Sequence, residues 1–308
     1  MDLVTRPFAI PMTMPFRGVE ERRGVLIRGP AGWGEFSPFP DYGPGVGARW
    51  LGAALEAATA PWPEARRSRI PVNAIVPAVE PERALEIAAA SGCSTAKVKV
   101  GRGDDEQRVA AVREALGPRG KVRVDANGAW DVDRAERMIK VLDRYQLEYV
   151  EQPVATLEEM AELRRRVDVP LAADESIRNA ADPLRVAGLE AADIVVLKVQ
   201  PLGGVRNALR VAEAAGLSVV VSSAVETSIG LGAGLALAAA LPDLPYACGL
   251  GTASLLTGDV VADPLVADGG CIDVRRPEVH EPSLARWELR GAEADAELAR
   301  MHAAEALL

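Results

Sequence analysis

Apolar runs rich in β-branched residues recur along the chain roughly every 25 residues, at 72–78, 95–100, 121–127, 148–153, 170–176, 194–199, 218–224 and 245–251. Each is too apolar for a strand exposed on one side. The intervals carry helical patterns with recognisable ends. Thr156 with Glu159 three residues on has the capping-box signature, Asp131 precedes another helix, and Gly92, Gly117 and Gly216 fall where helices stop. One helix per interval between buried strands predicts a parallel sheet covered by helices. The uncharged run from Ile229 to Leu241, ended by Pro242, is well short of a membrane span and reads as a buried helix of the same system.

The polar exceptions within these runs decide the architecture. Lys97, Lys99, Asp125, Glu151, Asp174 and Lys198 lie at the C-terminal ends of five consecutive predicted strands. In an open doubly wound sheet such ends spread along a crevice, whereas in a closed barrel they face one point. The predicted fold is therefore an α/β protein, a (β/α)8-type barrel over residues 71–253. Lys97 and Lys99 are two apart, as are Arg123, Asp125 and Asn127, so each set shares a strand face. That face is the inner one, because Val98, Val100, Val122 and Val124 suit the layer between strand and helix.

The flanks read differently. Segments 24–28 and 33–36 around Pro30-Ala31-Gly32 predict a hairpin. A Gly/Pro-rich stretch over 37–47, a helix over 48–59 and a linker with Pro61 and Pro63 follow. The tail beyond Ser254 has its own Gly/Pro-rich segment and a final helical run. Residues 1–70 and 254–308 are expected to build one α+β domain that caps the open end of the barrel.

Charge and composition narrow the function. A net charge of −9, a pI near 5.0 and 4% aromatic residues leave no footprint for nucleic acid. No charged segment followed by an apolar core opens the chain, so neither export nor a membrane partner is expected. Cys93, Cys248 and Cys271 are odd in number and lack metal-type spacing, which fits buried reduced thiols in a reducing cytoplasm. Trp33, Trp50 and Trp62 read as core of the terminal domain.

Asp125, Glu151 and Asp174 offer only hard oxygen donors, which select Mg²⁺, with Mn²⁺ as a substitute, over zinc. His280 and His302 are the only histidines and both lie in the C-terminal segment. A divalent ion there would hold the carboxylate of a small-molecule substrate and neutralise the dianion formed when the adjacent carbon loses its proton. Lys99 is then the candidate base, held partly neutral by the positive charge of the ion, Lys97 and Lys198. Ordinary salt bridges between strand-end lysines and acids are the structural alternative.

The motifs KxK at 97–99, DANGAW at 125–130, EQP at 151–153, DES at 174–176 and KVQPLGG at 198–204 resemble the enolase superfamily, in its muconate-cycloisomerase subgroup, over nearly the whole chain. A lysine base acting beside Mg²⁺ on an enediolate is a known pattern of that superfamily. The resemblance implies Asp125, Glu151 and Asp174 as metal ligands and Lys99 as general base. It implies Lys97 as the lysine that lowers the base's pKa and contacts the carboxylate, and Lys198 as the lysine on the opposite face of the substrate. Mandelate-racemase-like members carry a histidine on the seventh strand, where this chain reads SVVVSSA. Dipeptide epimerases carry DxD on the eighth, where this chain has Cys248 to Thr252. The motif SSAVETSIG at 222–230 is closer to actinobacterial enzymes of menaquinone biosynthesis, which dehydrate a succinyl-bearing hydroxycyclohexadiene carboxylate. N-acylamino-acid racemases share the six charged residues and are the alternative.

The same resemblance places Ser222, Ser223 and the Gly251 backbone at the succinyl chain, and the apolar loop from Met12 to Arg17 over the ring. Arg123 is read either as a substrate contact or as paired with a neighbouring strand-end acid. Glu226 and Thr227 either cap the following helix or touch substrate, and Asn127 orients a ligand or a water.

Overall fold

The structure is a computed structural model and describes residues 3–16, 18–178 and 184–308. It opens with an antiparallel sheet of β1 (Val4–Phe16), β2 (Val19–Gly29) and β3 (Gly32–Phe36), followed by helix α1 (Pro44–Thr59). The β2–β3 hairpin turns at the expected Pro30-Ala31 pair, with Gly29 opposite Gly32. Gly34 must be glycine, because a Cβ there would sit 1.9 Å from the Ala54 carbonyl of α1. Two expectations are corrected here. Residues 12–16 are not a loop but the end of β1, with Phe16 opposite Val19 and Met12 bridged to Leu256. Helix α1 begins at Pro44, inside the stretch read as irregular, because proline suits the first helical turn.

A short strand β4 (Arg69–Pro71) leads into the barrel, whose first strand is β5 (Ala74–Val76). The alternation then runs α2 (Pro81–Ala90), β6 (Thr95–Lys99), α3 (Asp105–Leu116), β7 (Lys121–Asp125), α4 (Val132–Leu142) and β8 (Leu147–Glu151). It continues with α5 (Leu157–Arg164), β9 (Leu171–Ala173), α6 (Glu175–Arg178) and α7 (Arg185–Gly188). The last units are β10 (Ile194–Leu197), α8 (Val205–Ala215), β11 (Ser218–Val221) and α9 (Ser228–Ala240). Thr156 and Glu159 make both bonds of the capping box, and Asp131 accepts from the Arg134 amide.

Strands β5 to β11 form one parallel seven-stranded sheet in sequential order. The eighth segment closes it with isolated bridges rather than a full strand. Cys248 pairs with Val72 and Gly249 with Ser222, and the Cys248 and Gly249 amides donate to the Pro71 and Val221 carbonyls at 2.7 and 2.8 Å. Val98, Val122 and Val124 are fully buried in the strand–helix layer, so the lysines and acids between them point inward. The barrel interior is filled by Tyr149, Ala172, Ile194, Val196 and Val220. Helix α9 is buried on all sides along nearly its whole length.

Beyond the barrel, β12 (Cys271–Asp273) pairs antiparallel with β4, and α10 (Glu281–Leu284) precedes α11 (Gly291–Glu305). Met301 and Ala304 of α11 join Trp50, Leu51 and Ala54 of α1 and Val25 and Ile27 of β2 in one apolar cluster. No disulfide forms among the described residues; Cys93 and Cys248 are buried thiols.

Candidate active site

Strands β6, β7 and β8 end at Lys99, Asp125 and Glu151, which stand side by side in register. Asp174 follows β9 and Lys198 follows β10. Lys97, Lys99, Asp125, Asp174 and Lys198 line one wall of a single cavity. Ser222, Ser223, Ala224 and Val225 line the facing wall with Gly249 and Thr252, and Ile75 and Phe39 complete it.

The backbone bends sharply where the acids end. Asn127 and Gln152 both adopt left-handed conformations, with φ of 48° and 38°. Gln152 was not singled out by sequence reasoning, yet it welds two strand ends together. Its side-chain oxygen accepts from the Asp174 and Ser176 amides at 3.0 and 3.2 Å, and its nitrogen donates to Val154 O at 2.9 Å. The available signal was a second polar residue directly after an acid inside an apolar run.

Each acid faces a lysine. Lys97 Nζ lies 2.7 Å from Glu151 Oε1 and 3.5 Å from Asp125 Oδ2. Lys99 Nζ lies 2.5 Å from Asp125 Oδ2 and donates to Asn127 Oδ1 at 2.7 Å. Lys198 Nζ lies 2.8 and 2.6 Å from the two oxygens of Asp174. Burial alone would raise the Asp125 pKa, but Lys99 and Lys97 outweigh it and hold the carboxyl well below the usual range. Burial would likewise lower the Lys97 ammonium, yet Glu151 and Asp125 raise it. The Nζ of Lys99, the expected base, is thus paired with the expected metal ligand Asp125.

Among the described residues, no three His, Cys, Asp or Glu side chains lie together as a ready metal cluster. Of the expected ligands, Asp125 and Glu151 share Lys97, and Asp174 pairs with Lys198. Glu151 Oε2 is buried with no hydrogen-bond partner.

The expected substrate contacts divide. Ser222 and Ser223 line the cavity, and Ser223 Oγ sits 2.7 Å from Thr252 Oγ1. Gly251 begins the turn behind Thr252 and does not itself line the cavity. Arg123 lies beneath it, fully buried, bonded to Glu148 at 2.6 Å and Ala247 O at 2.7 Å, and stacked over Tyr149 at 4.7 Å. Of its two readings, the pairing with an acid describes this placement. One step of period-2 alternation moves a side chain a full layer down the barrel, out of the cavity. Arg17 falls outside the described residues. Asn127 lines the cavity and donates to Glu175 at 3.1 Å.

The turn between β11 and α9 has a second buried cluster behind it. Val225 has φ 62°, a left-handed conformation that costs a β-branched residue on the order of 1–3 kcal/mol. Glu226 accepts from the Ala224 amide at 2.9 Å. Thr227 caps α9, as one of its two readings held. Glu35 of β3 accepts from Thr227 N at 3.1 Å, Thr227 Oγ1 at 2.5 Å and Gly230 N at 3.0 Å. Asp259 accepts from Ser228 N and Oγ at 3.1 and 2.6 Å. Burial pushes Glu35 up to about 7, against the pull of Thr227.

Residues 80–278 match the model for the enolase C-terminal domain-like family, and residues 8–58 that for the enolase N-terminal domain-like family. An o-succinylbenzoate synthase of Thermobifida fusca is 64% identical over 97% of this chain and 96% of the relative. Another, of Mycolicibacterium smegmatis, is 54% identical over 89% of this chain and 86% of the relative. Among solved structures, the N-succinyl Arg/Lys racemase of Bacillus cereus superposes with a TM-score of 0.81 at 22% identity, over 94% of this chain and 97% of the other. That last likeness shows the fold alone. A capped barrel with lysines and acids on its strand ends defines an enzyme of the enolase class. The chain belongs to the o-succinylbenzoate synthase family of the enolase superfamily, whose members are hydro-lyases.

Proposed function

We propose that the chain dehydrates 2-succinyl-6-hydroxy-2,4-cyclohexadiene-1-carboxylate to 2-succinylbenzoate, a step of menaquinone biosynthesis, in the cytoplasm. The observation that carries this reading is the convergence of Lys97, Lys99 and Lys198 with Asp125 and Asp174 on one cavity, with Glu151 paired to Lys97 behind it, in a chain 64% identical to a named synthase. Lys99 is the base that takes the proton from the carbon next to the carboxylate. The same ammonium then donates to the departing hydroxyl, so proton and water leave from one face. Lys198, held by Asp174 at 2.6 Å, supplies a positive charge to the substrate and its developing anion. Lys97 holds Glu151 in place and adds positive charge beside the carboxylate. Ser222 and Ser223 face the succinyl chain.

Asp125, Glu151 and Asp174 would hold Mg²⁺, and they fit it. All three offer hard carboxylate oxygens, and Glu151 keeps a buried oxygen without a partner. The ion when bound supplies charge neutralisation at the substrate carboxylate.

Because Lys99 and Lys198 both line the cavity, two-base racemisation of N-succinyl amino acids is the competing reading. Parallel assays of dehydration and racemisation on wild type and Lys198→Arg separate the two. Dehydration is expected from both proteins, since a fixed positive charge suffices at this position, while racemisation is lost in Lys198→Arg. Efficient racemisation by wild type without dehydration would replace the proposal.

A further inference from the structure

We propose that Arg22 is a positioning residue for the substrate cavity, setting both of its non-ionic walls from within the capping sheet. This rests on the dehydration reading above. Arg22 lies on β2, fully buried. Its Nε donates to the Val225 carbonyl at 3.0 Å, and its Nη2 donates to the Ser37 carbonyl. The guanidinium stacks 4.3 Å from the centre of the Phe39 ring. Val225 and Phe39 both line the cavity, the first from the β11–α9 turn of the barrel and the second from the loop after β3.

One planar group therefore holds two cavity walls that come from different parts of the chain. The barrel wall needs holding, because Val225 has a left-handed backbone that a valine does not adopt unaided. The Ala224 amide is fixed on one side by Glu226, and Thr227 on the other by Glu35. The carbonyl between them is fixed by Arg22. The planar fork matters, since an ammonium can reach one carbonyl but cannot bond two and lie flat on a ring. The partners of Arg22 named here, Val225, Ser37 and Phe39, belong to the walls that shape the cavity, so its expected effect falls on substrate fit rather than on proton transfer.

The test compares Arg22→Met, Arg22→Lys and Phe39→Leu with wild type by steady-state dehydration, Mg²⁺ affinity and binding of the aromatic product. Arg22→Met is expected to raise KM and the product Kd about tenfold or more, with kcat changed by less than about threefold and Mg²⁺ affinity unchanged. Arg22→Lys is expected to recover part of that loss, and Phe39→Leu to reproduce part of it. If Arg22→Met does not fold, the other two variants carry the same expectation. A folded Arg22→Met, or Arg22→Lys and Phe39→Leu together, with wild-type KM and product affinity would overturn the inference. So would a fall in kcat at unchanged KM. A wild type that binds product but performs no dehydration would instead sink the function proposed above.

Discussion

Asp125, Glu151 and Asp174 at the strand ends, and Glu35, Glu226 and Asp259 around the start of α9, are all buried acids, yet they are neutralised in different ways. The first set is held by lysine ammonium groups, with one oxygen of Glu151 left over. The second is held largely by backbone amides and hydroxyls at a helix N-terminus, where the helix dipole favours negative charge. An amide fixed in a helix cannot move aside, so the second set is locked and structural. A lysine can swing, so the first set can exchange partners and do chemistry. Burial and charge alone do not distinguish an active site from a structural joint; the nature of the partner does.

Substitutions in one set should weigh most on the property that set governs. Lys99→Ala has the largest expected effect, lowering dehydration by about a thousandfold or more, with a lower thermal midpoint as well because buried Asp125 loses its nearest cation. Turnover near wild type would remove Lys99 from the base role. Next comes the metal. Chelation is expected to abolish activity, Mg²⁺ or Mn²⁺ to restore it, and added Mg²⁺ to raise the thermal midpoint of wild type but much less that of Asp174→Asn. Full activity in EDTA would discard the proposed ligand set. Glu35→Ala should behave in the opposite manner. Three donors of the α9 start lose their acceptor, which costs about 2–4 kcal/mol in urea unfolding, with Mg²⁺ affinity intact.

The smallest expected effect is a pH dependence of opposite sign in the two regions. Asp125, depressed in the folded state, contributes stability above its ordinary pKa of 3.8 that is lost as the pH falls. Glu35, raised from 4.5 to about 7, contributes stability that is fully present below 4.5 and lost as the pH rises through 7. Glu35→Gln should therefore flatten a decline of up to about 3 kcal/mol between those values. A slope unchanged by the substitution would mean that the helix donors keep Glu35 ionised throughout.

How far these regions could be read from the chain differs in the same way. Strand-end lysines and acids are conspicuous because they interrupt apolar runs at a fixed phase, so their convergence was legible. Arg22 sits in the charged run Glu20 to Arg23, which reads as a solvated edge, and Glu35 is a single acid in a hairpin. Nothing local marks either as buried, since their partners lie about 190–200 residues further along. Strand β1 was missed because Pro7, Pro11 and Pro15 argue against a strand; it survives as an edge strand, where missing amide donors are tolerated. Arg123 was placed on the inward face but left open between substrate and an acid, because alternation specifies direction and not layer.

Helix α9 carries Gly230, Gly232 and Gly234 in its interior, each close against a neighbour. A Cβ on Gly232 would meet Pro277 at 2.9 Å, and one on Gly234 would meet Leu250 at 2.8 Å. Each glycine costs about 1 kcal/mol of helix propensity, so this segment has little tendency to be helical on its own. Besides its own cap Thr227, it is capped by Glu35, near the start of the chain, and Asp259, beyond the barrel. The order of folding follows from this. During synthesis the α9 segment leaves the ribosome without one of its caps and without the Leu250 and Pro277 surfaces that its glycines admit. It is expected to become a helix only when the chain has passed those residues, with the barrel closing last at this seam and any earlier pause leaving this very apolar segment exposed.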